Sequence, residues 1–224
     1  MKALILDSGT LINLSMNGLL DLFEKLKGTF NGKILITKAV KYETIDRPIN
    51  VQRFELGALK VQHLLEHGVL EMPESLSVTE QEISKITKEL MDKANRAATA
   101  NGKPISIVSE AEISCLALSH ILSEKGIENI IAIDERTTRV LCENPRTLEQ
   151  LMSERLHQRV RVSPQNLSDF KNYKFIRSSE LVYVAYKKGL LGLEGKKALE
   201  AALYATKFKG AAISFEEIDE LKKL

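Results

Sequence analysis

The chain has 224 residues, 44% apolar and 28% charged, with 32 Lys and Arg against 30 Asp and Glu. That length suits one α/β domain with insertions, or one domain plus a small appendage, of ordinary globular composition. A net charge of +2 is too small to mark the whole surface as polyanion-binding, Cys115 and Cys142 lack metal-ligand spacing, and no apolar run approaches the ~20 residues of a membrane helix. Two unpaired thiols, with a strand directly after the first residues and no signal peptide, predict a reducing, cytoplasmic setting.

In chain order, Lys2–Leu6 is a buried strand ending at Asp7, and a helix is expected over 11–26. Lys33–Ile36 reads as a second short strand. Thr37 caps a helix carrying Val40 and Glu43, which Arg47-Pro48 breaks. Gln52–Glu66 is helical by periodicity, Gly68 stops it, and Val69–Met72 is a candidate third strand. Two capping boxes follow, Thr79-x-x-Glu82 opening a polar helix to about Ala98 and Ser109-x-x-Glu112 opening an apolar one, with Asn101–Pro104 as the loop between them. Ile130–Ile133 is a buried strand with Asp134 after it, and another helix starts at Thr137. Residues 144–170 are polar and irregular, apart from a strand candidate at Arg159–Val162. Tyr173–Ile176 is a further strand candidate, and helices are expected over 179–188, 195–207 and 215–223. Alternating strands and helices predict an α/β fold with three α/β/α layers around a mainly parallel sheet, plus C-terminal helices. The expected organisation is one α/β domain over 1–177, with 144–170 as an insertion, and a helical extension over 178–224.

A strand-end carboxylate on a parallel sheet lies in the crevice where ligands bind in open α/β folds. Asp7 and Asp134 occupy such positions, although each also suits a helix N-cap. Glu43 shares a helical face with Val40, where an acid needs a partner. Glu110 and Glu112 compete for a fourth place. Glu112 already serves the Ser109 capping box and Glu110 extends the stripe of Ile113 and Ala117, so the chemistry is assigned to Glu110 with Glu112 in support. Two like charges ~4 Å apart repel by roughly 4 kcal/mol at an effective dielectric of ~20, so four clustered acids take up protons or bind a cation. Oxygen ligands favour Mg²⁺ or Mn²⁺.

The succession Leu6-Asp7-Ser8, Val40-x-x-Glu43, Ser109-Glu110-Ala111-Glu112 and Ile133-Asp134-Glu135-Arg136-Thr137-Thr138-Arg139 resembles the PIN-domain ribonucleases, many of them toxins of prokaryotic toxin–antitoxin pairs. Tyr186–Leu191 and Ile213-Ser214 resemble one branch of that family, whereas the span from Glu43 to Glu110 is longer than in its compact toxins. The resemblance implies a PIN-like fold and a metal-dependent endoribonuclease. Asp7, Glu43, Glu110 and Asp134 would be its catalytic and metal-holding acids, with Ser8 supporting the metal shell. It also implies an RNA substrate and an antitoxin protein as partner.

Arg136 and Arg139 follow Asp134 within one helix and suit a phosphate contact, the orienting of the acidic cluster, or an ion pair with Glu135 or Glu143. Residues 144–190 hold nine Lys and Arg against four Asp and Glu. Within them Arg155, Arg159, Arg161, Lys171 and Arg177, with Tyr173 and Phe175, suit a single RNA strand, or else a solvated face over two core aromatics. The stripe Ala198, Leu199, Ala202 and Leu203 suits core packing or a homodimer surface. Asp7-Ser-Gly-Thr invites comparison with aspartyl-phosphate phosphatases, but Gly9 stands where their second Asp is needed. A non-catalytic RNA- or protein-binding module is the alternative from a different class.

Overall fold

The computed structural model describes residues 1–163 and 167–223; the part of the expected insertion at 164–166 lies outside them. β1 (Lys2–Leu6) is buried along its last four residues and runs straight into α1 (Ser8–Met16). The single helix expected over 11–26 is two: Gly18, at φ +69°, turns the chain before α2 (Asp21–Thr29). β2 (Gly32–Leu35) leads through Thr37 into α3 (Lys38–Lys41), a π-helical turn at Tyr42–Asp46 and a 3₁₀ turn at Pro48–Asn50. α4 (Gln52–Glu66) and α5 (Glu80–Ala97) follow, α5 opened by the expected Thr79/Glu82 capping box.

Beyond α5 come β3 (Ala98–Ala100), β4 (Lys103–Pro104), α6 (Glu110–Glu124), β5 (Glu128–Ala132) and α7 (Arg136–Glu143). The chain then forms α8 (Leu148–Leu156), β6 (Val160–Val162), β7 (Phe175–Ile176), α9 (Ser178–Lys187), α10 (Lys196–Phe208) and α11 (Phe215–Leu221).

The main sheet has the order β2-β1-β5-β7 with every pair parallel. Its register sets Leu6 beside Ala132, so β1 and β5 end together. The expected third strand is reduced to one parallel bridge, Leu35 to Glu71, on the outer side of β2. Its backbone is nonetheless joined on both sides, Glu71 N to Ile34 O (2.8 Å) and Ile36 N to Glu71 O (3.1 Å). Glu71 is held there by Lys27 and Lys33, which also keep its carboxyl below the usual range.

Ile5, Leu6, Ile34, Leu35 and Ile131 are completely buried, each contributing about 1.5–3 kcal/mol by leaving water. α6 packs on β1 and β5 and is backed by α5, whose buried Ile83, Thr87, Leu90, Ala94 and Ala97 recur at helical spacing. α1 and α2 pack against α9, which contributes Leu181, Val182 and Ala185 to the main core. Leu199, Leu203, Ala211, Ile213 and Ile218 form a smaller core of their own around α10 and α11.

A second sheet, β4-β3-β6, is antiparallel. The loop expected at Asn101–Pro104 is the tip of this hairpin. Asn101 and Gly102 take φ of +51° and +74°, the left-handed pair that matches a hairpin's twist. Among the described residues, no helix is long and apolar enough to cross a membrane.

Candidate metal centre

Asp7 is buried at the junction of β1 and α1. It caps α1, with Oδ2 accepting from the Gly9 N–H at 3.1 Å. A Cβ on Gly9 would lie 3.2 Å from that oxygen, so glycine here admits the carboxylate without crowding. Oδ1 is buried with no hydrogen-bond partner. Burial raises the Asp7 pKa to about 7, and the charges of Glu112 and Glu43 push the same way against the Gly9 and Ser8 backbone bonds.

Glu43 comes from the π-helical turn after α3, a local widening closed by Arg47 N to Tyr42 O at 2.9 Å. Its Oε2 accepts from the Ser8 hydroxyl at 2.6 Å, so Ser8 joins the two acid-bearing segments. Thr37, which caps α3, is 2.6 Å from the Ser114 hydroxyl on α6 and fixes this segment against that helix.

At the start of α6 it is Glu112, and not the expected Glu110, whose charge acts on Asp7. Glu110 is exposed, and its charge is felt by Glu80 at the start of α5. Oε2 of Glu112 closes the capping box on the Ser109 N–H (3.1 Å) and accepts from the Thr138 hydroxyl of α7 (2.6 Å). Burial raises its pKa, with Glu135 adding to the effect. One turn further along α6, the Cys115 thiol is pushed up by burial and then by the charges of Asp7, Glu112 and Glu43 together. Asp7, Glu112 and Glu43 therefore lie near enough for their charges to act on one another's surroundings, Asp7 and Cys115 both feeling the other acids.

Asp134 ends the neighbouring strand but is more fully occupied. Oδ2 accepts from Asn13 Nδ2 (2.9 Å) and Oδ1 from the Ser178 N–H at the start of α9 (2.8 Å). Burial raises its pKa while Arg139 opposes the rise. Asn13 Nδ2 also reaches the Thr206 carbonyl at 2.9 Å, tying α1 to α10.

Among the described residues, no group of three or more His, Cys, Asp or Glu side chains stands so that it could hold a metal ion as placed. The donors nonetheless suit a hard cation: they are all oxygens, they repel one another, and one buried oxygen is idle.

The expected RNA contacts are dispersed. Arg155 donates to Glu135 Oε1 and Thr137 Oγ1, both at 2.8 Å. Arg159, Arg161 and Lys171 are exposed, whereas Tyr173 and Phe175 pack against the core as strand aromatics. Arg177 is corrected outright. It is 8% exposed, and its guanidinium is taken up by Glu180, Glu217 (2.8 Å) and the Ala212 carbonyl (3.0 Å), so it is a structural link. Arg139 pairs with Glu143 at 3.3 Å, one of the alternatives expected for it, and lines a cleft of about 550 Å³ with Arg136, Lys207 and Ser214.

No family model, no curated protein and no solved structure matches this chain.

Proposed function

We propose that the chain is a metal-dependent endoribonuclease of the PIN type, a hydrolase of RNA phosphodiester bonds using Mg²⁺ or Mn²⁺. The observation that carries this reading is the idle, buried Oδ1 of Asp7 beside Glu112 and Glu43 at the C-terminal edge of a parallel sheet. An oxygen left unpaired at that depth costs about 1–3 kcal/mol, more for a charged group, unless something binds it.

Asp7, Glu43 and Glu112 would hold the ion. Ser8 orients Glu43, Thr138 orients Glu112, and Asp134 braces α1 and α9 beside them. When bound, the ion supplies a hydroxide-like nucleophile at neutral pH and neutralises charge on the phosphate. Asp7 gives up its proton on binding, because its carboxyl is poised at about 7 without the ion.

The test is cleavage of structured and unstructured RNA by wild type and Asp7→Asn, with Mn²⁺, Mg²⁺ or chelator. Cleavage that needs the metal and Asp7 is expected. Metal-dependent cleavage by pure Asp7→Asn contradicts the proposal, and metal-independent binding without cleavage selects the non-catalytic module instead.

One observation favours a toxin role within the same reading. A cleft of about 540 Å³ borders Glu43, leaves Ile12, Met16, Val51 and Phe54 exposed, and carries Arg47, Arg53 and Lys60 at its edge. An acidic amphipathic segment of an antitoxin seated there would lie against the acid site.

A further inference from the structure

We propose that the cleft between α7 and the Gly210–Ser214 turn, together with the aromatic rings beside it, is one binding track for single-stranded RNA. This rests on the nuclease reading for its substrate and replaces the contacts expected on residues 155–177.

The cleft is cationic where it is free. Arg139 and Arg177 are paired with Glu143 and Glu217, which leaves Arg136 exposed and without a carboxylate partner among the described residues. Arg139 Nε is buried and makes no hydrogen bond, so its donor capacity is unspent. Lys207 joins the two halves of the track. It lines the cleft, its ammonium donates to the Ile213 carbonyl, and it lies 4.3 Å from the Phe215 ring centroid.

Beyond Lys207 stand three rings. Phe208 is 72% and Phe215 50% exposed, with centroids 6.4 Å apart, and Tyr204 lies 6.2 and 6.0 Å from them. The turn that brings α10 and α11 side by side uses Gly210 at φ +115°, a conformation other residues rarely adopt. Two exposed phenylalanines gain little from burial where they stand. Their solvent-exposed ring surface, greatest on Phe208, is what unstacked bases need, and neighbouring cations are what the phosphates need. Duplex bases are already stacked, so the rings select single strands.

The track is also anchored to the acid site. The Ala212 N–H, within the same turn, donates to the Asp134 backbone carbonyl at 3.2 Å. A strand lying with its phosphates on Arg136 and Lys207 and its bases on Phe208 and Phe215 therefore runs toward the strand end that carries Asp134.

The experiment measures fluorescence anisotropy of a fluorescein-labelled oligoadenylate RNA with full-length Asp7→Asn in chelator, where no cleavage interferes. The same background carries Phe208→Ala and Arg136→Ala, both exposed positions. Each is expected to weaken binding on the order of tenfold. Arg136→Ala should also flatten the salt dependence, and Phe208→Ala should leave it unchanged. Unchanged affinity in both variants overturns the proposal, as does a duplex RNA bound as tightly as the single strand. Self-association in sedimentation that Phe208→Ala abolishes overturns it too, by assigning the rings to a second copy of the chain. Binding lost in both variants without any metal-dependent cleavage by wild type upholds the track and removes the nuclease reading. Cleavage with unchanged binding does the reverse.

Discussion

Asp7 works against the stability of its own fold. Its Oδ2 caps α1, yet its charge is buried beside Glu112 and Glu43, and its pKa rises from 3.8 to about 7. The sign of the resulting linkage is unusual for a carboxylate. Between about pH 4 and 7 the native protein keeps a proton that the unfolded chain has released, so Asp7 lowers stability as pH rises through that window. At roughly 1.4 kcal/mol per pKa unit the full cost is on the order of 4 kcal/mol above pH 7. Asp7→Asn keeps the cap and removes the charge. It should melt higher than wild type above pH 7 without metal, with the advantage vanishing below about pH 4, in paired thermal scans across pH. Glu112 and Glu110 make a second contrast. Glu112→Gln should abolish stabilisation by Mn²⁺ in thermal scans, and Glu110→Gln should leave it intact. A capping box does not keep an acid from its neighbours' site. Oε2 of Glu112 meets the Ser109 backbone while the charge of the same carboxylate raises the Asp7 pKa. Glu110, in the first turn of α6, stands exposed beside α5 instead.

Among the elements, strong periodicity and capping signals were legible and backbone turns were not. β1, β5 and α5 stand where their patterns place them, because apolar runs and the Thr79/Glu82 box are local properties. The break between α1 and α2 depends on Gly18, and the β3–β4 hairpin on Asn101-Gly102. Both signals were present in the sequence, but the first was absorbed into a helical pattern and the second read as plain loop. The π-helical turn that carries Glu43 has no comparable local signal, since a helix widened by one residue keeps the composition of an ordinary one. At this scale Asn13→Ala is the informative change. It removes the donor shared by Asp134 Oδ2 and the Thr206 carbonyl, both buried, and should cost about 1–3 kcal/mol in denaturant unfolding.

For the molecule as a whole, the candidate site draws on segments around residues 7, 43, 112 and 134, with α9 bonded to Asp134 through Ser178 and α10 to Asn13 through Thr206. The parallel sheet was legible because strands and helices alternate, and the shared edge of Asp7 and Asp134 follows from the β1–β5 register. Which helices close over that edge was not legible, because long-range bonds such as those of Arg177 leave no periodic trace. Arg177 links α9 through Glu180, the 210–214 turn through Ala212 and α11 through Glu217. Arg177→Ala should therefore destabilise the protein by about 1–3 kcal/mol and raise hydrogen exchange most in α11.

Calorimetric titration of Mn²⁺ into the metal-free protein near pH 6.5 tests most directly whether these acids meet to hold a cation. Wild type should bind with release of a proton, seen as a heat that depends on the buffer's ionisation enthalpy, and Asp7→Asn should not bind. Wild type that takes up no Mn²⁺, or an Asp7→Asn variant that binds it equally well, would contradict the account.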